Sequence, residues 1–493
     1  MKIKKLIRIA PLFLIILQFT STILFGINIS STYPYYWEYK GQPTLLFGGF
    51  NSSEATHLTH YFNKDVTIHT VDQITAKMDE MKSAGGNYIR NELDCGWIGA
   101  RQGFYIAPKV NGKFDLNTMS GTYWSRLRTF IDEAKKRDIV VGIELWDIYD
   151  TCKWNDSWSD HPFNPANNIN YSTATSELLT YETRPQNPFY WGVPGHPKYV
   201  NAPPATKANY DRVRKYQEKF VDKVLSITLN YDNVLYCMNN ENGHAAEWGA
   251  YWAKYIHNKA SAQGKTAFCT DLFMIEKPHI LANQFQYMLD HSNIYNHLDI
   301  SQCLDHGEDH WTRVKELVDK AHTKGFPVTK TKIYTGEVDE KGKHTVSRDP
   351  QRAYDKYWKD LLLGVSVVRF HKPNMGIGLS PASKNCFAAT VKLQTKVKLW
   401  EVKPRLDLLT LRAEDEVYLA AKPGEKYVLF FPKSGSVGLK LGAYAGDEFD
   451  LNWINVDTGN WGPSKKISGG ATRTIKTPSA ATWVAVITST QLD

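Results

Sequence analysis

The chain has 493 residues, 42% of them hydrophobic and 22% charged. Those are globular proportions, which exclude wholesale disorder, collagen and coiled coil, and the length suits two or three domains. With 59 basic against 51 acidic residues the net charge is +8, but Lys2, Lys4, Lys5 and Arg8 open the chain with no acid among the first thirty residues; the remaining charge of about +4 is too small to point to nucleic acid.

Residues 2–8 form a basic segment, followed by an apolar stretch that runs, with Thr and Ser breaks, to about Ile27. This pattern reads as a signal peptide over residues 1–30, with an uncleaved anchor as the alternative form. Either way the rest is expected to be secreted or periplasmic. No later run is apolar enough to span a bilayer, so no stable membrane partner is expected. None of the six cysteines forms CxxC, which excludes a zinc ribbon. Cys237, Cys269 and Cys303 sit in apolar runs as buried thiols. Cys95 and Cys152 each follow a strand, which leaves a disulfide between them open.

Eight short apolar runs alternate with helical periods. The predicted strands are residues 44–50, 87–91, 139–146, 233–240, 266–270, 298–302, 330–336 and 365–371. Thr70 and Gln73 have capping-box spacing, and Ile74, Met78 and Met81 then share one helix face. Trp124, Leu127, Ile131 and Ala134 repeat the spacing, as do Trp311, Val314, Leu317 and Val318. Eight βα units in series predict a parallel (β/α)8 TIM barrel over residues 31–405. An open doubly wound sheet would want a Gly-rich phosphate turn after its first strand, and Gly48-Gly49-Phe50-Asn51 is not one. Residues 147–205, rich in Asn, Pro and aromatics, make one long connection after the third strand, on the face where barrel chemistry sits. Beyond residue 405 the period changes to two, over 417–421, 426–431, 437–441, 448–455 and 482–487, predicting a small all-β sandwich over 406–493.

The fourth strand ends in Asn239-Asn240-Glu241 and the seventh leads into Gly336-Glu337. Each Glu stands where an apolar run stops, at the C-terminal mouth of a barrel strand. Two carboxylates facing each other across a mouth can flank one bond, one protonating the leaving oxygen while the other attacks the sugar carbon. Asp147, at the end of strand three, reads as a substrate contact, and Trp146 and the rings of the following loop offer faces on which sugars stack. Glu144, inside strand three, reads as a buried charge partner. His306 and His310 are four apart with acids between them, but they lack a third ligand and fall at a strand-to-helix loop, so polar loop residues near a sugar are expected there rather than a metal site. No metal or cofactor is expected.

Asn-Glu ending strand four, with Glu ending strand seven, resembles the clan A retaining glycoside hydrolases, the 4/7 superfamily. The likeness covers about residues 33–405, and residues 34–43 resemble the leading hairpin of bacterial members. It implies Glu241 as acid/base, Glu337 as nucleophile, Asn240 as partner of the sugar 2-hydroxyl, and Arg90 as the strand-two arginine that holds the nucleophile. Where the clan often has a Tyr after strand six this chain has His306, and where strand eight commonly ends in Trp it has His371 and Lys372. The C-terminal domain resembles a small β-sandwich attached to many such enzymes and sometimes labelled collagen-binding. The expected partner is a poly- or oligosaccharide, with a non-catalytic carbohydrate-binding or adhesion protein as the alternative.

Overall fold

The computed structural model describes residues 26–493 except 51–58, 63–64, 69, 94–104, 152–156, 182–186, 244, 274–277, 304–306, 337–348, 374 and 493. All eight expected strands are present: β1 Leu46–Gly49, β2 Tyr88–Glu92, β3 Val140–Asp147, β4 Val234–Asn240, β5 Cys269–Thr270, β6 Leu298–Asp299, β7 Val328–Ile333 and β8 Val367–Phe370. They pair in parallel as two arcs, β2-β3-β4-β5 and β6-β7-β8-β1.

Asparagine side chains join the arcs. Asn87, just before β2, donates to the Leu45 carbonyl and accepts from the Phe47 N–H, both at 2.9 Å. Asn296, before β6, accepts from the Cys269 N–H at 3.0 Å. At the first seam a Cβ on Gly48 would stand 2.0 Å from the Tyr88 carbonyl oxygen, so the glycine is what lets β1 and β2 close. The strands β5 and β6 are shorter than the sequence predicts. An aspartate turns the chain at each end, just after β5 and as the last residue of β6: the Asp271 carboxylate accepts from the Leu272 N–H at 3.0 Å, and that of Asp299 from the Ser301 N–H at 2.7 Å.

Among the described residues eight helices of thirteen residues or more separate and follow the strands: α1 Val71–Ser83, α2 Thr122–Lys136, α3 Pro204–Thr228, α4 Ala246–Ser261, α5 Pro278–Asp290, α6 Gly307–Thr323, α7 Pro350–Leu363 and α8 Pro381–Lys396. The expected capping box starts α1, with the Thr70 hydroxyl and Gln73 side chain satisfying each other's backbone N–H, and Ile74, Met78 and Met81 are its buried face. The fold is a (β/α)8 barrel. Its N-terminal end is shut by a small antiparallel sheet, Asn28–Ile29, Trp37–Tyr39 and Gln42–Thr44. Trp37 is fully buried there with Leu46, Tyr88, Val140, Leu235 and Val367, which stand at the strand starts. The C-terminal mouth is the end left for chemistry.

The β-domain has seven main strands: β9 Tyr418–Lys422, β10 Lys426–Phe431, β11 Ser436–Lys440, β12 Glu448–Asn455, β13 Asn460–Ser468, β14 Thr472–Lys476 and β15 Trp483–Ser489. β13 and β14 were not predicted, because they are mostly polar and exposed and show no apolar period. One sheet runs Lys403–Pro404, β9, β10, β15, β12, β13 and the other Leu409–Thr410, β11, β14. Leu419, Leu429, Phe431, Leu439, Leu451 and Ile487 fill the space between them. The opposite face of the larger sheet, with Ala420, Val428, Phe430, Val484 and Val486, joins the barrel core. Polar contacts tie the domain to the first turns of three helices: Arg412 to Glu308 of α6 at 2.5 Å, Thr482 to Gln351 of α7 at 2.7 Å, and Asn385 of α8 to the Asp457 carbonyl at 2.5 Å. Among the described residues no helix is long and apolar enough to cross a membrane.

Candidate active site at the barrel mouth

At the end of β4 three polar residues point in different directions. Asn239 turns to the helix layer, donating to Asp271 at 2.8 Å and accepting from the Trp248 indole at 2.9 Å. Asn240 turns into the mouth. Glu241 has φ +54, the left-handed region, which an unbranched non-glycine residue occupies at a cost of about 1 kcal/mol or more. Its neighbour Asn242 is pinned, its N–H on the Leu272 carbonyl at 2.6 Å and its side chain on Asp271 at 3.0 Å. Burial pushes the Asp271 carboxyl up to about 7 against the hydrogen bonds it accepts from Asn239 and Asn242. Such strain, held from both sides, is characteristic of functional positions.

Charged groups converge on Asn240 and Glu241. Arg90, 1% exposed, grips Glu144 with two donors, one at 2.6 Å, and also meets Glu92. Its Nη2 donates to Asn240 Oδ1 at 2.9 Å. Lys332 Nζ donates to the same oxygen and to Glu241 Oε1, both at 2.6 Å. Asn240 Nδ2 donates to Asp147 at 3.1 Å, which leaves its second N–H available to a sugar hydroxyl. The Tyr149 hydroxyl donates to Glu241 Oε2 at 2.7 Å. Burial alone would lower the Lys332 pKa, but the Glu241 carboxylate and lesser contributions from Tyr334 and Glu144 more than offset it, so the ammonium sits above the ordinary lysine value.

The expected site residues separate into three groups. Arg90, Asn240, Glu241 and Asp147 come together at the mouth, and Glu144 is the buried charge partner of Arg90. Glu337 and His306 lie outside the described residues, as do Cys95 and Cys152. Trp146 and His310 are corrections. Trp146 is buried among Phe189, Phe220, Trp248 and Trp252, with centroids 5.2–5.7 Å away, so its ring is core rather than a sugar platform. His310 lies within α6 rather than a loop, fully buried with Nε2 2.8 Å from Asp360 of α7. His371 directly follows β8 and is buried against the Tyr334 ring at 4.7 Å. Among the described residues no group of three or more His, Cys, Asp or Glu side chains is arranged to hold a metal ion.

Two members of the cluster escaped sequence reasoning. Tyr149 was one ring among many in the long loop. Lys332 lies inside a predicted strand, and the only signal was a lysine in a run that had to be buried, where a charge needs a partner.

No family model and no curated protein matches the chain. Solved structures do. A glycoside hydrolase family 5 structure from Bacteroides vulgatus ATCC 8482 superposes with a TM-score of 0.61 at 10% identity, covering 95% of this chain and 94% of that one. A second, described as a glycoside hydrolase, gives 0.59 at 11% identity over 95% and 98%. The likeness extends through both the barrel and the β-domain and is a likeness of fold.

Proposed function

We propose that the chain is an exported retaining glycoside hydrolase acting on a poly- or oligosaccharide, with an export signal that ends before the Asn28–Ile29 strand rather than at residue 30, a catalytic barrel up to about residue 402, and a docked β-sandwich from the Lys403–Pro404 strand onward. The observation that carries this reading is Glu241: a strained glutamate at the C-terminal end of β4, reached across the mouth by β7, the strand that leads into Glu337. In this reading Glu337 attacks the anomeric carbon while Glu241 protonates the departing oxygen. Glu241 then takes a proton from water, which releases the sugar from Glu337 with its configuration retained. Asn240, held by Arg90, Lys332 and Asp147, offers its remaining N–H to the sugar 2-hydroxyl. The fold likeness to glycoside hydrolases supports the reaction class.

The Lys332 ion pair bears on how Glu241 would act as an acid. A general acid should hold a proton at rest, whereas an ammonium 2.6 Å away favours the carboxylate. That contact favours one rival, a barrel that binds glycans without cleaving them. A panel of β-aryl glycosides and plant or algal polysaccharides, with the first-formed anomer read by proton NMR, separates the two. Turnover with retained configuration, lost by 10²-fold or more in Glu241→Ala, is expected. Binding without turnover, or an inverted first product, defeats the proposal.

A further inference from the structure

Strand β7 carries two buried lysines two residues apart, Lys330 and Lys332. Residues so spaced on a regular strand share a face. Here they do not. Between Lys330 and Ile333 the pairing with β8 slips, Lys330 lying opposite Val368 and Ile333 opposite Phe370, so three steps of β7 match two of β8. This is a β-bulge, and it reverses the side-chain alternation. Lys330 faces the helices, 3.5 Å from Asp360. Lys332 instead crosses the mouth to Asn240 and Glu241. A buried ammonium is costly unless paired, and the bulge delivers this one to the one oxygen pair at the end of β4 that the proposed chemistry uses.

We propose that Lys332 is a positioning residue that keeps the Glu241 side chain ionised and aimed into the mouth, and thereby sets the pH range in which Glu241 protonates a leaving oxygen. The inference rests on the glycosidase reading. Among the described residues the pair is surrounded by Arg90 and Glu92 from β2, Glu144 and Asp147 from β3, Tyr149 from the following loop and Tyr334 beyond β7; Glu337, the proposed nucleophile, lies outside them. Arg90 pairs with Glu92 and Glu144, and Lys332 is the cation that meets Glu241 among the described residues. The ammonium stays protonated throughout. When Glu241 gives its proton to the departing oxygen it becomes a carboxylate beside a cation, which favours departure. The same cation lowers the fraction of Glu241 carrying a proton at neutral pH, so activity on poor leaving groups moves to acidic pH.

The test compares an unactivated glycoside with a dinitrophenyl glycoside of the same sugar, whose leaving group needs no protonation. In the wild-type chain the kcat/KM ratio of the two should already be falling tenfold per pH unit above the ordinary glutamate value of about 4.3. In Lys332→Met that fall should begin at least one pH unit higher, with the dinitrophenyl profile unmoved. Lys332→Gln, which keeps a donor to Asn240, should behave like the Met variant. A wild-type ratio flat to pH 7, or a folded variant whose ratio begins to fall where the wild type's does, overturns the role of Lys332. A variant that loses both substrates equally at all pH values also overturns it, since that is the signature of a merely structural lysine. No turnover of either glycoside by the wild-type chain overturns the glycosidase reading instead.

Discussion

Phe430 of the β-domain lies face to face over Trp358 of barrel helix α7, their centroids 6.1 Å apart and their planes 20° from parallel. Around this pair the larger sheet of the sandwich buries its second face on the barrel, so the sheet is apolar on both sides. An interface of that kind makes the two domains one folding unit. Phe430→Ala is expected to cost about 3–5 kcal/mol, visible as a lower midpoint in urea unfolding followed by tryptophan fluorescence. A chain ending at Arg405 should expose Trp358 and its neighbours and aggregate. A soluble, cooperatively folding truncation would show that the contact is dispensable.

Arg90 stands between Glu144, Glu92 and Asn240, and with 1% exposure it has no water to fall back on. Replacing it by Met strands two buried carboxylates. The expected loss is about 3–5 kcal/mol, and replacing Glu144 by Met as well should recover part of it. Denaturant unfolding of the two variants checks this. A double variant no more stable than the single one would mean that the Arg90–Glu144 pair is not what the substitution broke.

Most of the barrel strands were legible because they are short apolar runs between turn residues, and burial on both faces leaves little else for such a run to be. The positions of Asn240 and Glu241 followed from where such a run stops. What was not legible depended on departures from regular alternation. The bulge in β7 sends Lys330 and Lys332 to opposite sides, and nothing in Val-Thr-Lys-Thr-Lys-Ile announces it. Trp146 sits in a strand that ends one residue later at the mouth, yet its ring finds the aromatic cluster of α3 and α4. β13 pairs at a sheet edge with little apolar surface, so its residues carry no period to read.

Asp299 gives a pH-dependent prediction. Burial, reinforced by the charge of Glu144 and opposed by hydrogen bonds from Ser301, holds its carboxyl up to about 7 from an ordinary value of 3.8. Between those pH values the folded chain keeps a proton that the unfolded chain has lost, so this group's contribution to stability falls as pH rises from about 4 to 7, by a few kcal/mol. The buried His297, His310 and His322, lowered to about 3, 4 and 4 chiefly by burial, act oppositely, since the unfolded chain binds protons there that the folded chain does not. The total curve therefore mixes the two, and the variant-minus-wild-type difference isolates Asp299. Asp299→Asn, a neutral mimic of the protonated acid, should gain on the wild type steadily from pH 4 to 7 in urea unfolding. A difference that stays constant with pH would show that Asp299 is ionised in the fold.

Azide separates the proposed roles of the two glutamates. Glu337→Ala removes the attacking carboxylate, so no glycosyl–enzyme forms and turnover of a β-aryl glycoside should drop by 10²–10⁴-fold or more. Azide fits the vacated space and attacks from the side the carboxylate used, giving an α-glycosyl azide. Glu241→Ala keeps the nucleophile. An activated aryl glycoside should still form the intermediate, shown by a burst of phenolate, and the intermediate should then persist because no base deprotonates water. Azide needs no base. It attacks the intermediate from the opposite face and should restore turnover with a β-glycosyl azide as product. Opposite stereochemistry in the two variants is thus the expected result, read directly from the anomeric proton couplings. The same azide anomer from both would mean that Glu241 and Glu337 do not divide the reaction in this way, and the assignment at the ends of β4 and β7 would fall with it.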